Sequence, residues 1–221
     1  MNPFQRARNE ALALRVTLLA EHAEESIPAK KLLEKIESNL NLGIDRLPKS
    51  ATELGNGDAC LHRDDKFIYI RNDIDDDQHA ALIAHELGHW ILDVDKTQQT
   101  ITSLTLLDNS QGSPGVVKVE AYGARERQEL QANVFGREFL LPRCLARKLF
   151  EGGLGPSQVA ANLGIPLSIV QQQMLDAILL PEEEKEVFKP LHEPSEDQKQ
   201  AACAKERFVN VVAGPGTGKT S

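Results

Sequence analysis

Two histidines four residues apart, set in an apolar pattern of helical period, constrain this chain more than any other feature. The stretch reads Ala80-Ala-Leu-Ile-Ala-His-Glu-Leu-Gly-His-Trp-Ile-Leu92, and its apolar residues recur at the spacing of one helix face. His85 and His89 are therefore expected on one face of a helix, where two imidazoles can bind one metal ion. Three aspartates at 75–77 precede the stretch and are expected to cap this helix, with their negative charge at the positive end of its dipole.

Glu86 lies between the two histidines and is turned about 100° from His85 around the helix axis. Its carboxylate can reach a metal-bound water without being a ligand. Zinc lowers the pKa of such a water to about 7, and a neighbouring carboxylate can take its proton and pass it to a leaving amine. This is the H-E-x-x-H arrangement of zinc peptidases. The alternative is a chance pattern, which Gly88 argues against because glycine costs about 1 kcal/mol relative to alanine inside a helix.

The composition is that of a water-soluble globular chain. It has 221 residues, of which 41% are hydrophobic and 26% charged, enough for one or two domains. The net charge of -8 argues against general nucleic-acid binding. Three widely spaced cysteines, Cys60, Cys144 and Cys203, indicate reduced thiols. No apolar run approaches the roughly 20 residues of a membrane span, and no signal peptide is recognisable, so we expect a cytoplasmic protein without membrane contact.

Helices are predicted on the N-terminal side of the histidine motif, followed by a β-hairpin. The first helix is expected over residues 4–26, and the second from Pro28 to near Gly43. After a predicted loop at 47–58, residues 59–72 read as a hairpin. Zinc peptidases commonly bind substrate as an added strand along the cleft, so residues 67–71 are a candidate substrate strand. An ordinary sheet strand without substrate contact is an equal alternative.

On the C-terminal side, residues 93–119 are predicted to form a mobile loop, long enough to be a lid or a specificity insert. A helix is expected to resume at Glu120 and to run to Leu141. Residues 157–170 then resemble a helix-turn-helix, with Ala160, Gly164 and Val170 at the small, turn and core positions. The absence of Lys and Arg from 149 to 184 favours a structural or partner-binding role for this unit over DNA binding.

The histidine motif is followed by Glu129-Leu-Gln-Ala-Asn-Val-Phe135 and Phe139-Leu-Leu-Pro142. In this order the motifs resemble those of the ImmA/IrrE family of metallo-endopeptidases, over about residues 5–180. The resemblance implies an α+β, zincin-like fold and a protein substrate, a helix-turn-helix repressor that is cleaved or otherwise inactivated. It implies Zn2+ held by His85, His89 and Glu129, with Glu86 as the catalytic carboxylate. Gly136 stands where the family usually has alanine, a small-for-small change.

The third zinc ligand has two candidates in the sequence, since a catalytic zinc takes three protein ligands and keeps one position open. Asp95 lies at the offset used by peptidases of the H-E-x-x-H-x-x-G-x-x-H/D type, but Leu92 occupies the position where that glycine turns the chain. Glu129 belongs to a separate predicted helix and can approach the metal from the side. Asn133, one turn further on, can then hold a ligand histidine in place. The alternative to a ligand role for Glu129 is that it is a solvated helix residue, which could pair with Arg125.

The last segment carries a nucleotide-binding signature. A predicted strand at 208–212 is followed by Ala213-Gly-Pro-Gly-Thr-Gly-Lys-Thr220, a Walker A loop with alanine at the first position. In such loops backbone amides bind phosphates, and the lysine and threonine contact the terminal phosphates and magnesium. The predicted nucleotide-binding residues are Gly214, Gly216, Gly218, Lys219 and Thr220. Gln198 resembles the adenine-sensing glutamine of UvrD/Rep-type superfamily 1 helicases.

The predicted organisation is a zincin-like metallopeptidase domain at 1–150, a helix-turn-helix-like unit at 151–180, an acidic linker at 181–197 and the start of a P-loop helicase domain at 198–221. We expect a fragment of a longer peptidase–helicase fusion, with Mg-ATP binding and DNA contact only in the longer protein. Three functions stay open: an active zinc endopeptidase, a non-cleaving zinc-stabilised binding module, and an accessory region of an ATP-dependent DNA helicase.

Overall fold

The computed structural model describes residues 2–23, 25–93, 100–103 and 123–180, and the fold is given for these residues. They form an α+β fold of seven α-helices and one small mixed sheet. The helices are α1 (Pro3–Leu19), α2 (Ala29–Leu40), α3 (Asp76–Leu92), α4 (Ala124–Leu140), α5 (Arg143–Glu151), α6 (Pro156–Leu163) and α7 (Leu167–Leu179). The strands are β1 (Gly43–Leu47), β2 (Ala59–His62), β3 (Phe67–Arg71) and β4 (Thr100–Thr102). Short 3-10 turns lie at Ala20–His22 and Thr52–Leu54.

The sheet confirms the predicted hairpin, but it excludes one of the two roles predicted for the second hairpin strand. The strand order is β1-β3-β2-β4, with β1 parallel to β3 and the other pairs antiparallel. Since β3 is hydrogen-bonded along both edges, it has no free edge to which a substrate strand could be added. The prediction that residues 67–71 bind substrate in this way is therefore wrong, and the alternative of an ordinary sheet strand holds.

Two strands lie where the sequence predicted none. β1 is a short strand between the second helix and the predicted loop. It pairs in parallel with β3, which is not the next strand in the sequence. β4 falls within the predicted 93–119 loop, where pairing with β2 orders Thr100–Thr102. Both depend on partners distant in sequence, which local patterns do not reveal. Of the remaining predicted loop, 94–99 and 104–119 lie outside the described residues.

The histidine motif lies inside α3, as predicted, and the helix packs against the sheet. Asp75 has the extended backbone of an N-cap residue, but its side chain makes no capping hydrogen bond. The expected cap is thus wrong in this detail, whereas the first-turn acids Asp76 and Asp77 do supply negative charge at the helix start. Asp76 also accepts a hydrogen bond from Arg46 of β1 at 2.8 Å, which ties the helix start to the sheet edge.

α3 and α4 cross in antiparallel fashion at a contact made by small residues. A Cβ on Gly88 would lie 2.9 Å from Cα of Ala132, and a Cβ on Gly136 would lie 3.1 Å from the carbonyl carbon of Ala84. Separations this short cannot be accommodated without movement of backbone. Gly88 therefore has a packing reason that the sequence did not show. Gly136, where the resembling family has alanine, lets α4 approach α3 closely at this point.

The helical pair predicted at 151–180 is present as α6 and α7, joined at Gly164, whose left-handed φ of 63° ends α6. Val170 is fully buried. Gln173 donates hydrogen bonds to the Leu141 carbonyl at 2.7 Å and to Glu138 at 3.1 Å, so α7 is fixed to the end of α4. The pair belongs to the same compact unit as the preceding residues, Met1–Pro181.

The predicted linker and P-loop segments, including Gln198 and residues 213–220, lie outside the described residues, as does Cys203. In the described part of the chain, none of the helices is both long and apolar enough to cross a membrane.

Candidate metal centre

Two ligand atoms from α3 and one from α4 converge at a single point. Nε2 of His85 and Nε2 of His89 are 3.0 Å apart, and Oε2 of Glu129 lies 3.3 Å from the first and 3.4 Å from the second. Both histidines are buried, and the Glu129 side chain is 19% exposed. The small-residue crossing of α3 and α4 sets this approach, because Ala132 is three residues from Glu129 and contacts Gly88 next to His89.

The hydrogen bonds behind the histidines fix which ring nitrogens carry lone pairs. Nδ1 of His85 donates to the amide oxygen of Asn133 at 2.7 Å, and Nδ1 of His89 donates to Asp93 at 2.9 Å. In the neutral rings both Nε2 atoms are then acceptors. Oε2 of Glu129 is also an acceptor, and it is buried without a hydrogen-bond donor. Three lone pairs that face one another need a cation between them.

The electrostatics of the group agree with this need. Burial lowers the pKa of His89, but the hydrogen bond to Asp93 and the carboxylates of Glu129 and Glu86 outweigh it and raise that pKa to about 10. Burial raises the pKa of Glu129, but the contacts with His85 and His89 outweigh it and hold that pKa well below its usual range. The site therefore attracts positive charge, either as a proton or as a metal ion.

The spacing of the three atoms suits a small tetrahedral ion. Zn2+ binds histidine nitrogen and carboxylate oxygen at about 2.0–2.2 Å, which places tetrahedral ligands roughly 3.3 Å apart. The observed separations of 3.0, 3.3 and 3.4 Å agree with that value. His85, His89 and Glu129 can therefore hold a metal ion, and two nitrogens with one oxygen form a donor set compatible with zinc.

Glu86 follows His85 on α3 and is not one of the three residues whose ligand atoms converge. Its negative charge is one of the effects that raise the pKa of His89. Its side chain is fully buried, and its Oε2 accepts a hydrogen bond from the Thr100 hydroxyl of β4 at 2.5 Å. Its Oε1 is buried and has no hydrogen-bond partner. Such an orphaned oxygen costs free energy unless a ligand uses it. Glu86 is thus outside the group that could hold a metal ion, and its role as a base stays a prediction from the sequence.

The C-terminal end of α3 is held by Arg63, which lies in the turn between β2 and β3. Its guanidinium donates to the carbonyls of His89 at 2.5 Å and Trp90 at 3.4 Å, and it lies 5.4 Å from the centre of the Trp90 ring. It also lies 3.9 Å from Asp93, the partner of His89. Arg63 therefore fixes both the backbone of His89 and the carboxylate that orients its ring.

Sequence reasoning identified the three converging residues, Glu86 and Asn133. It missed Asp93, Arg63 and Thr100. A carboxylate four residues after His89 on the same helix face was a usable signal for Asp93. No local signal exists for Arg63 or Thr100, because their contacts depend on how the sheet is placed. Glu129 is not a solvated residue, and no ion pair joins it to Arg125 among the described residues; the rival ligand Asp95 lies outside them.

Comparison of the chain with protein-family models finds no match, and no curated protein matches it significantly.

Proposed function

We propose that this chain is a zinc-dependent endopeptidase of the ImmA/IrrE type. The observation that carries the proposal is the convergence of His85, His89 and Glu129 on one point. Glu86 adds to it, because it follows His85 on α3 and has a buried carboxylate oxygen without a hydrogen-bond partner. A site that only stabilises a fold has four protein ligands and no use for a base, whereas a catalytic zinc keeps one position open for water and substrate.

The bound zinc would polarise the substrate carbonyl and lower the pKa of water at the open position. The chain itself supplies the base. Thr100 holds Oε2 of Glu86, so Oε1 is the oxygen left to take a proton from the attacking water and deliver it to the leaving amine. Asn133 and Asp93 keep the two imidazoles turned with Nε2 toward the metal position.

We place the substrate along β4. This strand is at the end of the sheet, β2 is its partner among the described strands, and its Thr100 contacts Glu86. An extended peptide added to the outer edge of β4 would use backbone hydrogen bonds for affinity and would bring its carbonyls next to the base. The substrate is accordingly a protein segment in extended conformation.

The resemblance to ImmA/IrrE motifs supports a helix-turn-helix transcriptional repressor as the protein substrate. A fusion to an ATP-dependent helicase stays a prediction from the sequence alone; it rests on Gln198 and on residues 213–220, which lie outside the described residues. For the same reason, Mg-ATP as a cofactor and DNA as a partner are proposed only for a longer protein, and cytoplasmic location remains an expectation from composition.

The test is mass spectrometry of candidate repressors incubated with the zinc-loaded chain and with its Glu86→Gln variant. The wild type is expected to produce defined peptide fragments. The variant should keep its zinc and produce none, because an amide cannot accept the proton. Cleavage that persists in a zinc-loaded Glu86→Gln variant would remove Glu86 as the base. A wild type that holds zinc and binds a repressor without cutting it would favour the non-cleaving binding module.

A further inference from the structure

The face of the sheet opposite α3 carries an aromatic group that the proposed peptidase does not use. Ile68 and Ile70 of β3 are fully buried in the core, so the alternate residues Phe67 and Tyr69 lie on the other face. The two rings stack at 5.6 Å with an angle of 11° between their planes. His62 of β2 contacts the Tyr69 ring edge-on at 4.9 Å. Phe67 is 37% exposed, and Tyr69 is partly exposed.

The backbone beneath this group is adapted to it. Gly43 of β1 is paired with Phe67, and a Cβ on Gly43 would lie 2.4 Å from the Phe67 ring. The ring therefore rests directly on the glycine backbone, and any side chain at position 43 would displace it. Phe67 is thus covered by the Gly43 backbone and by the stacked Tyr69 ring, and 37% of the residue stays exposed.

Carboxylates surround the aromatic group. Asp45 is the cross-strand partner of Tyr69 in the parallel β1–β3 pair, and Asp65 lies 3.8 Å from His62. Glu53 is held close because its carbonyl accepts a hydrogen bond from His62 at 2.9 Å. All three acids are exposed. Among the described residues, neither Asp45 nor Glu53 forms an ion pair with a lysine or arginine, and Asp65 pairs with His62.

We propose that this face, formed by Phe67, Tyr69 and His62 with Asp45, Glu53 and Asp65 around them, is a docking surface for an arginine-containing extended peptide segment. Aromatic faces attract cations, and the planar guanidinium both stacks on rings and bonds to carboxylates in a bidentate way. Phosphate-rich partners are repelled by the same carboxylates. Alternate residues of an extended peptide point the same way about 7 Å apart, and Phe67 and Tyr69 are themselves alternate residues of an extended strand.

The test is an NMR titration of the 221-residue chain with the capped peptide Gly-Arg-Gly-Arg-Gly and with its lysine counterpart. Amide shifts are expected to concentrate on β1 and β3 around Phe67 and Tyr69, with the arginine peptide binding at least about threefold more tightly than the lysine peptide. Shifts that cluster elsewhere, or equal affinity for both peptides, would overturn the proposal. This map needs no variant and is independent of the metal site.

Two variants with matched controls complete the test. Phe67→Leu and Asp45→Asn should each weaken binding of the arginine peptide about two- to fivefold, which corresponds to loss of one exposed cation–π or ionic contact. Phe150→Leu and Glu37→Gln, at exposed positions on helices α5 and α2, should leave binding unchanged. If the controls weaken binding as much as the two variants do, the attraction comes from the net charge of the whole chain and the docking surface does not exist.

Discussion

Gly88 of α3 lies so close to Ala132 of α4 that a Cβ at position 88 would be 2.9 Å from the Ala132 Cα. This approach brings Glu129 within reach of the histidines, because Glu129 lies on α4 one turn before the crossing. The metal centre is therefore built on the distance between two helix backbones, and that distance is set by residues that are not ligands.

A change of Gly88 to alanine is expected to destabilise the fold and to weaken metal binding together. Alanine gains about 1 kcal/mol of helix propensity, but the clash with backbone costs about 1–3 kcal/mol and pushes Glu129 away. Gly136→Ala should cost less, because its closest contacts are 3.1 and 3.2 Å. Chemical denaturation and zinc titration of both variants check this. A Gly88→Ala protein that is more stable and binds zinc normally would show that the crossing can relax freely.

Asn133 is expected to contribute to zinc affinity through His85. Asn133→Ala removes the acceptor of the Nδ1 proton, so the ring is no longer held with its Nε2 lone pair toward the metal. Loss of such a partner typically costs about 10- to 100-fold in metal affinity. Chelator competition measures the effect, and Gln128→Ala, an exposed position on the same helix, serves as control. Equal affinities for both variants would mean that packing alone orients His85.

Arg63 is expected to matter for stability through its two carbonyl contacts at the end of α3. Arg63→Ala should lower the free energy of unfolding by about 2 kcal/mol, since hydrogen bonds from a charged group to carbonyls that then stay buried are among the stronger ones. Arg63→Lys should recover only part of this, because an ammonium cannot reproduce the planar fork or its stacking on Trp90. Full recovery by lysine in urea denaturation would show that charge alone is required.

His79 gives the fold a defined response to acid. Burial, together with the charge of Arg46, lowers the pKa of His79 to about 4, against the smaller opposite effect of Asp76. Its ordinary pKa is about 6.5, so below that pH the unfolded chain takes up a proton that the folded chain refuses. The free energy of unfolding should therefore fall as pH drops from 6.5 to 4, by on the order of 3 kcal/mol from this residue.

The measurement for His79 is urea denaturation at several pH values between 4 and 7. His79→Gln should reduce the slope of stability against pH in this window, because it removes the titrating imidazole. An unchanged slope in His79→Gln would assign the acid response to other groups.

The sequence predicted which residues converge in the candidate metal centre more fully than it predicted the sheet, and the reason is physical. His85 and His89 lie on one helix, and Glu129 and Asn133 on another, so the helical period alone determines which side chains share a face. Thr100 and Arg63 reach the site from the sheet. β1 pairs directly with β3, although β2 lies between them in the sequence. Such contacts depend on tertiary placement, which short-range patterns do not encode. From the sequence alone Gly88 is an energetic cost, because the neighbour that explains it, Ala132, lies on another helix.

The most direct test of the central claim is the zinc dissociation constant of the wild-type chain compared with those of Glu129→Ala, Asp95→Ala and Glu86→Gln, determined by chelator competition. We expect about one zinc per chain, at least tenfold weaker binding for Glu129→Ala, and nearly unchanged binding for the other two variants. A wild type that binds no zinc, or an Asp95→Ala variant that loses zinc while Glu129→Ala keeps it, would contradict the metal centre of His85, His89 and Glu129.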